Sequence, residues 1–181
     1  LPLTEIQLMN DNEQPVSTGE IGEVWIKSPG VSEGYWQKPE ETAKSFSNGW
    51  CKTGDLGMYD EEGFLSIVGR KKDMIRSGGE NIYAAEIEDV LYRHDAVHTA
   101  SVIAIPDPKY LEAVCAVIVL KENKQTTEEE LISFCQKYLA KYKAPKKVVF
   151  IDEIPRTPSG KVKKFELREI YKNVNLKTEE V

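Results

Sequence analysis

The chain has 181 residues, of which 40% are hydrophobic and 30% charged, with 24 Lys and Arg against 30 Asp and Glu for a net charge of −6. Such a composition can bury a core and excludes a disordered chain, and the acidic balance points to neither nucleic acid nor an anionic membrane as partner. Three scattered cysteines, Cys51, Cys115 and Cys135, form no CxxC pair and no disulfide framework, which favours a reducing, cytoplasmic setting. The longest apolar run, Ala113 to Leu120, is strand-sized, so no transmembrane segment is expected.

Leu1 to Met9 reads as the middle of a strand, with no basic leader and no small-residue cleavage site, and this creates the expectation of a piece cut from a longer protein. Up to residue 69, short strands alternate with turn residues. Glu23–Lys27 alternates and is broken by Ser28-Pro29-Gly30; Asn48-Gly49 signals a hairpin before a strand from Trp50 to Thr53; Glu61-Glu62-Gly63 leads into Phe64–Val68. This half is expected to be a small, mostly antiparallel β subdomain. Tyr35 and Trp36 read as packing residues.

From residue 70 the pattern changes. Asp73–Arg76 reads as a strand ending at Ser77-Gly78-Gly79, and Ala84–Tyr92 as a helix with Ile87, Val90 and Leu91 on one face. Two strands follow, Ala100–Ile105 and Ala113–Leu120, joined by a Pro106-Asp107-Pro108 turn. Thr127 to Glu130 has the form of a capping box, opening a helix with Leu131, Ile132, Cys135, Tyr138 and Leu139 on its buried side. A strand at Val148–Ile151 and a last helix at Lys164–Tyr171 complete an α+β module of helices on a small sheet. The domain division expected is 1–69, a hinge at 70–72, and 73–181.

Three polar clusters carry candidate chemistry. In Lys52-Thr53-Gly54-Asp55, Gly54 permits a tight turn that leaves the Asp55 carboxylate either as a turn cap or as an acceptor for vicinal hydroxyls such as those of a ribose. Arg70-Lys71-Lys72-Asp73 is a solvated connector, followed by the Gly78-Gly79 pair, which marks either a hairpin or a binding loop and matches no phosphate-loop pattern. Pro155 to Lys172 holds six Lys or Arg and two Glu, with Lys161 held forward by a Pro- and Gly-rich loop. It is either a solvated basic tail or a site for phosphate and carboxylate oxygens. His94 and His98 lack further ligands, so no metal site is expected.

In this order the clusters resemble the carboxy-terminal part of an acyl-CoA synthetase of the adenylate-forming superfamily. The resemblance runs through Thr18–Glu23, Gly34-Tyr35-Trp36, Gly49-Trp50, Thr53-Gly54-Asp55, Gly69-Arg70, Ser77–Tyr83, Ala85–Glu88 and Pro155–Lys161. It implies that residues 1–69 are the tail of a large AMP-binding domain and 73–181 a small α+β lid. It implies that Asp55 binds the ATP ribose with Arg70 assisting, that Lys72 is the hinge, that Gly78 and Gly79 line the coenzyme A arm, and that Lys161 is the catalytic lysine of adenylation. The implied substrates are ATP with Mg2+, coenzyme A and a small-molecule carboxylic acid, expected to be a fatty acid; the wording of the Ser77–Tyr83 stretch is closer to acyl-CoA synthetases than to peptide-synthetase domains. Cys51 and Ala84 depart from the family pattern, at positions where an aromatic and a proline are usual. The large domain carrying the phosphate loop and acyl pocket is the implied missing partner, so the chain alone is expected to be inactive. Two alternatives remain: an adenylation domain loading a carrier protein, and a non-catalytic binding or regulatory module.

Overall fold

The computed structural model describes residues 3–174, which divide between Lys72 and Asp73 into two compact units. Of the expected first strand, Leu1 and Pro2 lie outside the described residues, as does the last stretch, 175–181.

The first unit is an antiparallel sheet of β1 (Glu5–Met9), β2 (Ile21–Lys27), β3 (Phe46–Ser47), β4 (Trp50–Tyr59) and β5 (Leu65–Arg70), with a short helix α1 (Pro39–Ser45) before β3. The strand order is β1-β2-β4-β3, and β5 also pairs with β4. Asn48 and Gly49 take φ of 51° and 80°, the twist a two-residue hairpin between β3 and β4 requires. The buried apolar residues here are few: Leu8, Met9, Val24, Trp25 and Leu56. Trp36, expected to pack, is 87% exposed, and Tyr35 is half exposed with an edge-on contact to Phe46. Aromatic residues in a turn have no strand or helix face to direct them inward.

The second unit is built on a sheet of β6 (Met74–Ser77), β7 (Glu80–Tyr83), β8 (Val97–Asp107), β9 (Leu111–Leu120) and β10 (Lys147–Phe150), in which β9 pairs antiparallel with β8 and parallel with β10. Three helices cover it: α2 (Ala84–Tyr92), α3 (Glu128–Tyr138) and α4 (Lys164–Tyr171). The expected α+β module is thus a sheet covered on both faces. Successive β8 residues face opposite ways: Val102 joins Ile87, Leu91, Leu131 and Cys135 under α2 and α3, whereas Ile103 joins Cys115, Ile154 and Leu167 under α4. The double covering explains why β9 is an unbroken apolar run rather than an alternating one.

Local chemistry sets the helix ends. Thr127 Oγ1 accepts from the Glu130 N–H at 3.2 Å while Glu130 Oε2 accepts from the Thr127 N–H at 2.9 Å, a complete capping box worth about 1 kcal/mol. Tyr138, expected to be buried, is 57% exposed, because it sits in the last turn of α3 and rests its ring on Phe134 at 5.1 Å. The expected turn at 106–108 also differs: Pro106 and Asp107 continue β8, and residues 108–110 make the turn. Burial pushes the Cys115 thiol up to about 12 and that of Cys135 up to about 11, so both stay protonated at neutral pH and act as apolar core.

Candidate functional site

In the first unit the chemistry gathers at a bulge. Glu23 pairs with Leu56 and Trp25 with Lys52, so Thr53, Gly54 and Asp55 of β4 lie opposite Val24 alone. The expected tight turn at Gly54 is therefore a bulge inside one long strand, with Gly54 at φ +73°. The backbone groups freed from the ladder find side-chain partners. Thr53 Oγ1 donates to the Val24 carbonyl at 2.7 Å and accepts from the Asp55 N–H at 3.1 Å, and Glu23 Oε1 accepts from the Gly54 N–H at 3.2 Å.

This holds the Asp55 carboxylate at the surface, in register with Arg70 across the strand pair. Arg70 Nε donates to Asp55 Oδ1 at 2.7 Å, and Arg70 Nη2 donates to the Thr53 carbonyl at 3.2 Å. Asp55 Oδ2 accepts no hydrogen bond among the described residues, leaving one oxygen open for a donor such as a hydroxyl. The side chains are 40% and 48% exposed, so the pair contributes little to stability and its value lies in orientation.

Glu23 was not singled out by sequence reasoning. Its other oxygen pairs with Lys71 at 3.1 Å, and Lys71 also meets Asp11 at 2.9 Å. Burial alone would lower the Lys71 pKa, and the two carboxylates more than offset it, holding the ammonium above its usual value. The connector is thus less solvated than expected: Lys71 and Asp73 are partly buried and paired, while Lys72 is exposed in the short 3-10 turn at 71–73. The only hint of this in the sequence is a carboxylate placed inside an otherwise apolar strand.

In the second unit, Gly78 and Gly79 form the turn between β6 and β7, with φ of 61° and 90°. Tyr110 packs over Gly78: a Cβ there would lie 3.0 Å from the ring, and the Gly78 N–H donates to the Tyr110 carbonyl at 3.0 Å. Around Gly79 a Cβ would meet nothing within 4 Å. The open space beside this turn therefore belongs to Gly79. The Lys146 ammonium lies over the Tyr110 ring, its Nζ 3.7 Å from the ring centroid and 3.3 Å from Asp107 Oδ2.

Asp107 organises that corner. Burial acts to raise its pKa, but N–H donation from Tyr110 and Lys109, together with the Lys146 ammonium, outweighs burial and leaves the carboxyl below its usual value. A depressed carboxyl pKa contributes stability that is present above the unfolded value of about 3.9 and is lost as pH falls through the folded value. Asp107→Asn is expected to lower stability at neutral pH and to flatten the acid side of the stability–pH curve below about pH 4. Urea titrations of both proteins between neutral and acid pH check this.

The loop between β10 and α4 presents Lys161. The loop closes on itself: the Thr157 N–H donates to the Lys161 carbonyl at 2.8 Å, the Gly160 N–H to the Thr157 carbonyl at 2.8 Å, and Arg156 Nη1 to the Gly160 carbonyl at 2.9 Å. A bridge between Arg156 and Val162 and the Lys163 N–H to the Pro155 carbonyl complete a small hairpin, with Gly160 at φ +84°. The basic surplus of this stretch resolves into pairs: Lys163–Glu166, Lys164–Glu88, Arg168–Asp73 and Lys172–Glu169. Lys161 is exposed, and its ammonium has no hydrogen bond or ion pair among the described residues. Of the six cationic side chains in this stretch, it is the one left available for an external anion.

No group of three or more His, Cys, Asp and Glu suited to a metal ion occurs among the described residues, His94 and His98 included. No helix among them is long and apolar enough to cross a membrane.

Comparison with known proteins gives a consistent result. Residues 86–161 match the family described as the AMP-binding enzyme C-terminal domain. The long-chain-fatty-acid–CoA ligase of Escherichia coli O157:H7 is 44% identical over 169 residues, covering 93% of this chain and 30% of that ligase. The structure of o-succinylbenzoate CoA synthetase from Bacillus subtilis in complex with its acyl-adenylate intermediate superposes with a TM-score of 0.87 at 42% identity, over 93% of this chain and 34% of that one. The amide bond synthetase McbA of Marinactinospora thermotolerans superposes with a TM-score of 0.87 at 37% identity, over 94% and 35%. The chain spans roughly a third of the length of these relatives.

Proposed function

The chain carries an AMP-binding enzyme C-terminal domain and is homologous to long-chain-fatty-acid CoA ligases and other adenylate-forming enzymes, and from that premise we propose that it is the carboxy-terminal part of an ATP-dependent acyl-CoA ligase. The parent protein joins a carboxylic acid, a fatty acid, to AMP and passes the acyl group to coenzyme A. The observation that carries this reading is Lys161, an unpaired ammonium on a self-supporting hairpin among neighbours that are all engaged elsewhere.

In the first half-reaction a carboxylate oxygen attacks the α-phosphorus of ATP, a new O–P bond forms, and pyrophosphate leaves with the electrons of the broken P–O bond. Two anions must approach. The Lys161 ammonium, a compact charge with three donors, bridges the attacking carboxylate and the α-phosphate and stabilises charge that grows on the phosphoryl oxygens. Asp55 receives the ribose hydroxyls on its open oxygen, and Arg70 steadies the carboxylate and the nucleotide. Magnesium accompanies ATP as part of that substrate. In the second half-reaction the coenzyme A thiol attacks the acyl carbonyl and AMP departs. Gly79, with open space beside it, and Gly78, beneath Tyr110, border the path of the thiol arm. Lys72 is the hinge about which residues 73–181, as a lid, turn between the two steps, while residues 1–69 complete a larger nucleotide-binding domain. Without that domain the 181-residue chain is inactive.

The match to an amide bond synthetase favours one second reading: adenylation followed by transfer to a nitrogen acceptor rather than to a thiol. The deciding experiment offers the full-length protein ATP, a series of fatty acids, and coenzyme A, a carrier protein or an amine in parallel. The proposal expects AMP release and acylation with coenzyme A. Acylation of only the carrier or only the amine would replace it with one of the other readings.

A further inference from the structure

The unit boundary falls between Lys72 and Asp73, and the charged residues on both sides of Lys72 are each held within their own unit. Lys71 is fixed to Asp11 and Glu23, as described. Asp73 Oδ1 accepts from Arg168 Nη2 at 2.6 Å, with the two side chains 16% and 30% exposed. Arg168 lies on α4, one turn beyond Lys164. Lys164 pairs with Glu88 Oε1 at 2.8 Å, and that same oxygen accepts from the Val102 N–H on β8 at 2.7 Å. The Lys161 hairpin runs directly into this helix, three residues upstream of its first turn. Asp73 and Arg168 are 95 residues apart in sequence, so their pair is a tertiary strut and not a local contact.

We infer that Asp73 and Arg168 are positioning residues for Lys161. Their ion pair ties the first residue beyond the pivot to the helix that follows the lysine, so that rotation about Lys72 carries the Lys161 hairpin as one rigid piece. This rests on the reading of Lys72 as the hinge and Lys161 as the catalytic lysine. The pair suits the task because a short charge-assisted hydrogen bond between two largely sheltered side chains holds them at a fixed separation. Delivery of an ammonium to a reacting phosphate tolerates little slack, since a displacement of about 1 Å lowers a rate on the order of a hundredfold. Lys161 is not used once acyl-AMP exists, so loosening the strut impairs only the first half-reaction.

The test uses the full-length protein and two assays, ATP–pyrophosphate exchange and thioester formation from supplied acyl-AMP. Asp73→Asn keeps the side-chain shape and removes the charge; Arg168→Lys keeps the charge and removes the fork. Both are expected to lower the exchange kcat on the order of a hundredfold, with the KM for ATP and the thioester step unchanged. The reversed pair, Asp73→Arg with Arg168→Asp, is expected to regain most of the exchange rate. Lys147→Met, which breaks the sheltered Lys147–Glu128 pair at 2.9 Å in the same unit, is expected to lower the melting temperature and leave the exchange kcat intact. The inference is overturned if Asp73→Asn and Arg168→Lys keep the wild-type exchange rate while Lys161→Ala loses it. It is equally overturned if their loss of rate only tracks the fall in melting temperature set by Lys147→Met. If Lys161→Ala itself retains exchange, the reading of the lysine fails first, and the strut has nothing to position.

Discussion

Lys161→Ala in the full-length protein is expected to lower acyl-adenylate formation by roughly 10²–10³-fold, the loss that follows removal of one preorganised charge-stabilising donor. The fold gives this variant an unusually clean interpretation. The Lys161 side chain makes no hydrogen bond or ion pair among the described residues, and the loop around it is held by backbone groups of Thr157 and Gly160, the Thr157 hydroxyl and the Arg156 guanidinium. Truncation at Cβ therefore removes charge without removing support, and the melting temperature should not move. Thioester formation from supplied acyl-AMP should continue at the original rate. Lys161→Arg is expected to restore only part of the exchange activity, because a planar fork does not occupy the place of a compact ammonium between two anions. Pyrophosphate exchange that survives in Lys161→Ala would remove this lysine from the chemistry.

Leu167→Ala is expected to destabilise the second unit by about 2–5 kcal/mol, the usual cost of a truncation that leaves a cavity in a packed core. Leu167 is 1% exposed and is the buried residue of α4, fitted among Ile103, Ile105, Cys115, Val117 and Ile154. It supplies the fully buried apolar attachment of that helix to the sheet, with the partly buried Tyr171 packed against the same cluster, so the loss falls on the element that bears Lys164 and Arg168 and begins just after Lys161. Ile170→Ala on the same helix starts from 63% exposure and should change stability by no more than about 0.5 kcal/mol. Urea unfolding of the 181-residue chain and the two variants measures both. Equal effects from the two substitutions would mean that α4 is not anchored through Leu167.

These expectations draw on features with different visibility in the amino-acid sequence. The helices Ala84–Tyr92 and Lys164–Tyr171 have the bounds that residue periodicity predicts, and the capping box at Thr127–Glu130 forms as its spacing implies. Asn48-Gly49 turns a hairpin because both residues tolerate positive φ. Lys161 was conspicuous because a loop rich in Pro and Gly serves no core. Its being the unengaged cation of its stretch was not legible, because the partners of its neighbours lie as far away as Asp73 and Glu88.

Other readings failed for the same reason. Tyr138 has the spacing of a buried residue, but periodicity does not say where the covering surface ends. Gly54 looks like a turn when its own residues are considered alone. That it lies in a bulge depends on Val24 and Glu23 of a neighbouring strand.

By itself, then, the order of residues determined what local rules govern: helix and hairpin positions, the caps, and the run of motifs through which the chain resembles the adenylate-forming enzymes. Only the tertiary structure decided which charges are spent on one another and which remain for a ligand. Ion pairs such as Arg168–Asp73 and Lys71–Glu23 join residues 95 and 48 positions apart. Coulombic and hydrogen-bond partners act over a few ångströms of space regardless of separation along the chain, so no local pattern records them.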